Sequence, residues 1–91
     1  MKARITLQLT KEGQLDILLN EAGRDKLVEH LQSLSRTNDH FHIAPAEFGM
    51  ECAVSEKPYR ASDQVLAWGK ILLRPDDWDA EHFPHVMDNT G

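Results

Sequence analysis

Basic side chains are missing from the end of this chain. Residues 76–91 contain no lysine or arginine but five acids, Asp76, Asp77, Asp79, Glu81 and Asp88, whereas residues 1–75 balance ten acidic against ten basic groups. The whole net charge of −5 therefore lies in the last sixteen residues. Nucleic-acid binding needs clustered Lys and Arg against phosphate, and this distribution argues against it. A basic protein partner is electrostatically favoured instead. The plainer alternative is an acidic terminus that serves only solubility.

Cysteine is almost absent as well. Cys52 stands alone, which excludes an internal disulfide and makes a reducing compartment the expectation. Long apolar runs are lacking, so no segment has the length of a membrane span. Met1 to Thr10 alternates polar and apolar residues instead of presenting the continuous stretch of a signal peptide, and the expected location is cytoplasmic. Gly13, Gly23, Gly49, Gly69 and Gly91 are too scattered for a phosphate-binding loop. With 91 residues the chain has room for one core, and a deep catalytic cleft is hard to build on it.

What the chain does contain is alternation. Ile5, Leu7 and Leu9 interleave with Arg4, Thr6, Gln8 and Thr10; after Lys11-Glu12-Gly13-Gln14, Leu15, Ile17 and Leu19 resume the pattern with Asp16 opposite. The first twenty residues thus read as a β-hairpin with one buried face. Leu18 breaks the alternation and hints at partial cover on the second face. Asn20 is placed to cap a helix, Gly23 weakens its first turn, and Leu27, Val28, Leu31 and Leu34 recur at helical spacing until Thr37-Asn38-Asp39. His40-Phe41-His42-Ile43 reads as a third strand that Pro45 ends, with Phe41 and Ile43 on one face and both histidines on the other. Residues 46–63 are ambiguous, containing a short strand around Cys52 and then a loop. Val65 to Arg74 is the strongest remaining strand, with Val65, Ala67, Gly69, Ile71 and Leu73 on the side suited to lie beneath the helix.

The expected fold is α+β: an N-terminal hairpin, one amphipathic helix, then two or three strands, in a single mainly antiparallel sheet with the helix on one face. Residues 1–78 form the domain, and residues 79–91 an acidic tail, disordered or folded back on the sheet. The helix-free face then carries Arg4, Thr6, Gln8, Asp16, His40, His42, Leu66, Trp68, Lys70 and Leu72. Trp68 with its neighbours has the composition of a protein-binding surface, and Asp76, Asp77 and Trp78 extend it. Equally, Trp78, Phe83 and Val86 would bury Trp68 and Leu72 if the tail covered that face.

Chemistry-bearing clusters are weak. His40, His42, His82 and His85 offer a metal or small-ligand site if the tail crosses the strand, yet neither pair has a strong spacing signature and Pro84 prevents a regular helical pair. Cys52 lacks an orienting group or an oxyanion-hole turn, so a small buried hydrophobe is its plainer role. Asp76, Asp77 and Asp79 lie in a run better suited to solvation than to acid–base work. The expectation is a non-enzymatic binding protein without a cofactor, monomeric or a weak homodimer pairing through the open sheet face.

Leu19-Asn20-Glu21-Ala22-Gly23-Arg24-Asp25 with Leu27 following, Asp39-His40-Phe41-His42-Ile43, and Ile71-Leu72-Leu73-Arg74-Pro75-Asp76-Asp77-Trp78, after a short hairpin, resemble the small immunity proteins of bacterial polymorphic-toxin systems, of the Imm32 type. The likeness runs over roughly residues 3 to 78, in order and without large insertions. It implies neutralisation of a cognate protein toxin by tight non-covalent binding, with no cofactor and no catalytic residues. Its recurrent positions fall on Gly23, Arg24, Asp25, His40 and His42, where fold maintenance and toxin contact are both open.

Overall fold

The computed structural model describes residues 2–87. In chain order the elements are β1 (Ile5–Leu9), β2 (Leu15–Leu19), α1 (Glu21–Gln32), β3 (His40–Pro45), a 3₁₀ turn (Ala46–Phe48), β4 (Cys52–Val54), β5 (Gln64–Val65), β6 (Gly69–Leu72), α2 (Asp76–His82) and a second 3₁₀ turn (Pro84–Met87). The class is α+β, but the single sheet expected from the alternation is replaced by two three-stranded sheets, ordered β2-β1-β5 and β4-β3-β6. They touch where the Ser55 amide donates to the Ile5 carbonyl at 2.7 Å. Three of the four strand pairings are antiparallel, and β3–β4 is parallel.

The continuous strand expected over residues 65–74 is divided between the sheets. Its first part ends on β1, where the Leu66 amide bonds the Leu7 carbonyl at 2.8 Å, and its second part pairs with β3. Apolar residues on both faces, read in the sequence as one doubly covered strand, instead serve a segment that passes from one sheet to the other. The parallel β3–β4 pair is joined by only residues 46–51, short for a parallel crossover. It is possible because Cys52 lies beside Ile43, so the chain retreats by only two residues, through the 3₁₀ turn and a left-handed Gly49 at φ 66°.

The junction from β2 to α1 is fastened by Asn20. Its side-chain oxygen accepts from the Gly23 amide at 2.7 Å and from the Arg4 amide at 2.9 Å, its amide nitrogen donates to the Lys2 carbonyl, and its backbone bonds Arg4. One residue thus caps the helix and ties it to the chain leading into β1. Gly23, which costs helix propensity, is required by packing: a Cβ there would collide with the Arg4 carbonyl.

The core consists of Ile5, Phe41, Ile43, Cys52 and Val54, covered by Leu27 and Leu34 of the helix side and by Ala67 and Ile71. His30, in the last turn of α1, stacks on Phe41 at 5.1 Å between ring centroids. Two expectations about the hairpin are corrected. Thr6 and Gln8, expected on an open polar face, are each only 1% exposed. Segment 55–63 folds over them: Gln8 donates to Asp63 at 2.7 Å and accepts from the Tyr59 amide at 3.1 Å, while Arg60 pairs with both Asp63 and Asp16. Conversely Leu15, Ile17 and Leu19, expected in the buried face, are exposed. They share a face with Leu9, Leu7 and Ile5, but Leu27 of α1 packs on the buried cluster around Ile5 and Cys52 and leaves these three uncovered.

Candidate functional site

The second sheet assembles most of the side chains expected to meet a partner. His40 lies opposite Leu72 and His42 opposite Lys70 in the β3–β6 ladder, so these four share one face, while Phe41, Ile71 and Ile43 point into the core. Trp68 stands just before β6, at the end of the sheet where β3 finishes. There it meets Phe48 of the 3₁₀ turn, edge to face at 4.6 Å between centroids. Trp68 is 60% exposed and Phe48 55%, with Leu66 and Met50 also exposed two residues from each. Sequence reasoning left Phe48 inside an ambiguous stretch; a large aromatic and Met50 around a glycine, in an otherwise polar connection, was the available signal.

Carboxylates rim the histidines. His40 Nδ1 is 2.8 Å from Asp39, and Glu51 accepts from the His42 amide at 2.8 Å with the His42 ring at 3.2 Å. The His40 hydrogen bond holds the Asp39 carboxyl below its ordinary pKa. For Glu51 the lowering comes first from the His42 backbone amide and then from its ring. These contacts fix the imidazoles, which also meet each other edge to face at 5.1 Å.

Among the described residues, the acidic segment does not cover this face. Residues 76–82 form α2, and Trp78 takes the Arg74 guanidinium over its ring at 4.3 Å and packs beside His82 and Phe83. Burial of Trp68 by Phe83 or Val86 is therefore not the arrangement adopted: all three remain exposed. Asp77 makes a two-pronged pair with Arg36 at 3.0 and 3.1 Å, which lowers the Asp77 pKa, raises that of Arg36 and anchors α2 to the connection after α1. Asp77 was expected to attract a basic partner, but its charge is already engaged within the chain. Asp76 stays exposed beside it. Of the expected tail at 79–91, residues 88–91, with Asp88, lie outside the described residues.

The four histidines are not brought together. His82 packs on Trp78 and His85 on Phe83, and among the described residues no three His, Cys, Asp or Glu side chains are placed to share a metal ion. Cys52 is buried in the core, and burial pushes its thiol pKa up, the opposite of what a nucleophile needs. No helix among the described residues is long and apolar enough to cross a membrane. Searches of protein-family models, curated proteins and solved structures found no match to the chain.

Proposed function

We propose that the protein is a non-catalytic protein-binding domain that acts as an immunity protein resembling those of polymorphic-toxin systems, occupying a cognate toxin through the end of its second sheet. The observation that carries the binding role is the exposed Trp68–Phe48 pair. Two aromatic rings held rigid against each other in water offer large contact area at small entropic cost, the property of binding anchors. His40, His42, Lys70 and Leu72 form the adjoining polar and apolar surround. Asp76, Asp79 and Glu81 of α2 favour a basic partner surface and its rapid approach.

The test is co-expression with the product of a neighbouring toxin-type gene. Protection of the host and co-purification of the two chains, both lost in Trp68→Ala while the variant keeps its fold, is the expected result. Failure of the wild-type protein to bind or protect against such a product overturns the reading.

A further inference from the structure

At the opposite edge of the fold from β6, strand β2 presents a second surface that the proposed function does not use. The Asn20 amide donates to the Arg4 carbonyl at 3.1 Å and the Thr10 amide to the Gln14 carbonyl at 2.9 Å, so the even-numbered residues of this strand bond inward to β1. Antiparallel ladders alternate, and Leu15, Ile17 and Leu19 therefore direct their N–H and C=O groups away from β1. The same alternation holds on β1, where the Ile5 and Leu7 carbonyls bond outward to Ser55 and Leu66. Among the described residues β2 is the end strand of its sheet, so those three donors and three acceptors form a free edge there. Protein edges are normally guarded by proline, lysine or a bulge. This one has an unbroken register and the sequence Leu-Asp-Ile-Leu-Leu.

The side chains of the same three residues are bare: Leu15 is 54% exposed, Ile17 50% and Leu19 38%. A hollow of about 360 Å³ runs from Ile17 and Leu19 to Arg24 of α1, which shows that the Arg24 flank of the helix faces this strand. Val28 and Leu31 continue that flank at i+4 and i+7 and are also exposed. Exposed aliphatic side chains of β2 and α1 therefore lie beside this edge, with the polar Asn20, Glu21 and Arg24 lining the hollow.

We propose that β2 pairs antiparallel with β2 of a second copy of this chain, about a two-fold axis at Ile17. The strand suits itself as a partner. With Ile17 opposite Ile17, Leu15 meets Leu19 of the other copy, and all six outward groups of each strand find partners. Asp16 falls opposite Leu18, so like charges do not meet. The hairpin turn, with Lys11 and Glu12, arrives beside the other copy's helix start, where Glu21 and Arg24 offer the complementary signs. The five exposed aliphatic side chains amount to on the order of 400 Å² per copy, comparable to the largest apolar patch of a typical monomer. That is roughly two-thirds of what the smaller specific interfaces bury per partner, the strand edge and flanking charges supplying the rest. A dimer that forms at high concentration and parts on dilution follows.

Sedimentation of the full chain, with amide exchange read residue by residue, tests this. The expected mass rises from 10.4 kDa toward twice that value with concentration. In parallel the Leu15, Ile17 and Leu19 amides, solvent-facing in a monomer, slow by roughly tenfold or more. Ile17→Lys should remain monomeric with an unchanged circular dichroism spectrum, and Trp68→Ala should still dimerise. Monomeric mass throughout, or fast exchange at these three amides in the concentrated wild type, overturns the proposal. So does a dimer that survives Ile17→Lys or is lost with Trp68→Ala. The wild-type exchange measurement decides the matter even if the lysine variant fails to fold.

Discussion

Replacing Gly23 with alanine sets two physical effects against each other, and the structure decides the sign. Within a helix, alanine is favoured over glycine by about 1 kcal/mol, so helix propensity alone forecasts a more stable protein. A Cβ at position 23, however, would run into the carbonyl of Arg4, with the Arg4 carbonyl carbon 2.9 Å away and the Asn20 side-chain oxygen at 3.0 Å. Backbone cannot swing aside as a flexible side chain does. Relief requires α1 to lift from the strand entering β1, which strains the bonds from Asn20 to Gly23, Arg4 and Lys2. Overpacking costs about 1–3 kcal/mol, and each weakened hydrogen bond about 1 kcal/mol. The net expectation is a loss of about 2 kcal/mol, equivalent to a fall in Tm on the order of 10 °C for a domain of this size. Urea unfolding followed by circular dichroism measures it, with an unchanged m-value showing that the denatured state is the same. Gly69→Ala, where a Cβ meets nothing within 4 Å, is the control and should be near neutral. A Gly23→Ala protein as stable as wild type or more so refutes the close-approach argument.

Asp63→Ala should cost about 2–4 kcal/mol, because it strands the buried Gln8 amide and releases Arg60, detaching segment 55–63; thermal melting within about 1 kcal/mol of wild type would show that the segment is held some other way. Trp68→Ala should change stability by less than about 1 kcal/mol, since it removes only an exposed ring contact, while weakening partner binding by about 2 kcal/mol or more, roughly thirtyfold in Kd. Equal effects on folding and binding in calorimetry would contradict an anchor role. Asp39, Glu51 and Asp77 have lowered pKa values, so each contributes stability above the unfolded carboxylate pKa and loses it as pH falls through the folded value. The stability these three carboxylates contribute should therefore be fully present above about pH 5 and decline below about 4. Glu51→Gln should flatten that decline in acid titrations, and a curve parallel to wild type would count against the His42 contact.

The Asn20 cap, the Phe41/Ile43 core pair and the histidines on the opposite face of β3 were legible because each rests on local rules: side-chain capping, period-two alternation and the stop at Pro45. Trp68 was legible as a candidate surface aromatic, whereas its neighbour Phe48 was not, because it reaches Trp68 only after an irregular turn through Gly49. Alternation also misled. It shows that two faces differ without showing which face is covered, and in the hairpin the polar residues Thr6 and Gln8 are buried along with Ile5.

By itself the sequence determined what depends on neighbours in the chain: an α+β order of elements, the strand-to-helix junction at Asn20, and an acidic terminal segment. Only the tertiary structure decided that residues 65–72 divide between two sheets, that segment 55–63 seals one face of β1, that Asp77 is spent on Arg36, and that Leu15, Ile17 and Leu19 lie bare at an edge. Pairing and cover are set by residues tens of positions apart competing for the same backbone edges and the same apolar surface. No local pattern encodes the winner of that competition.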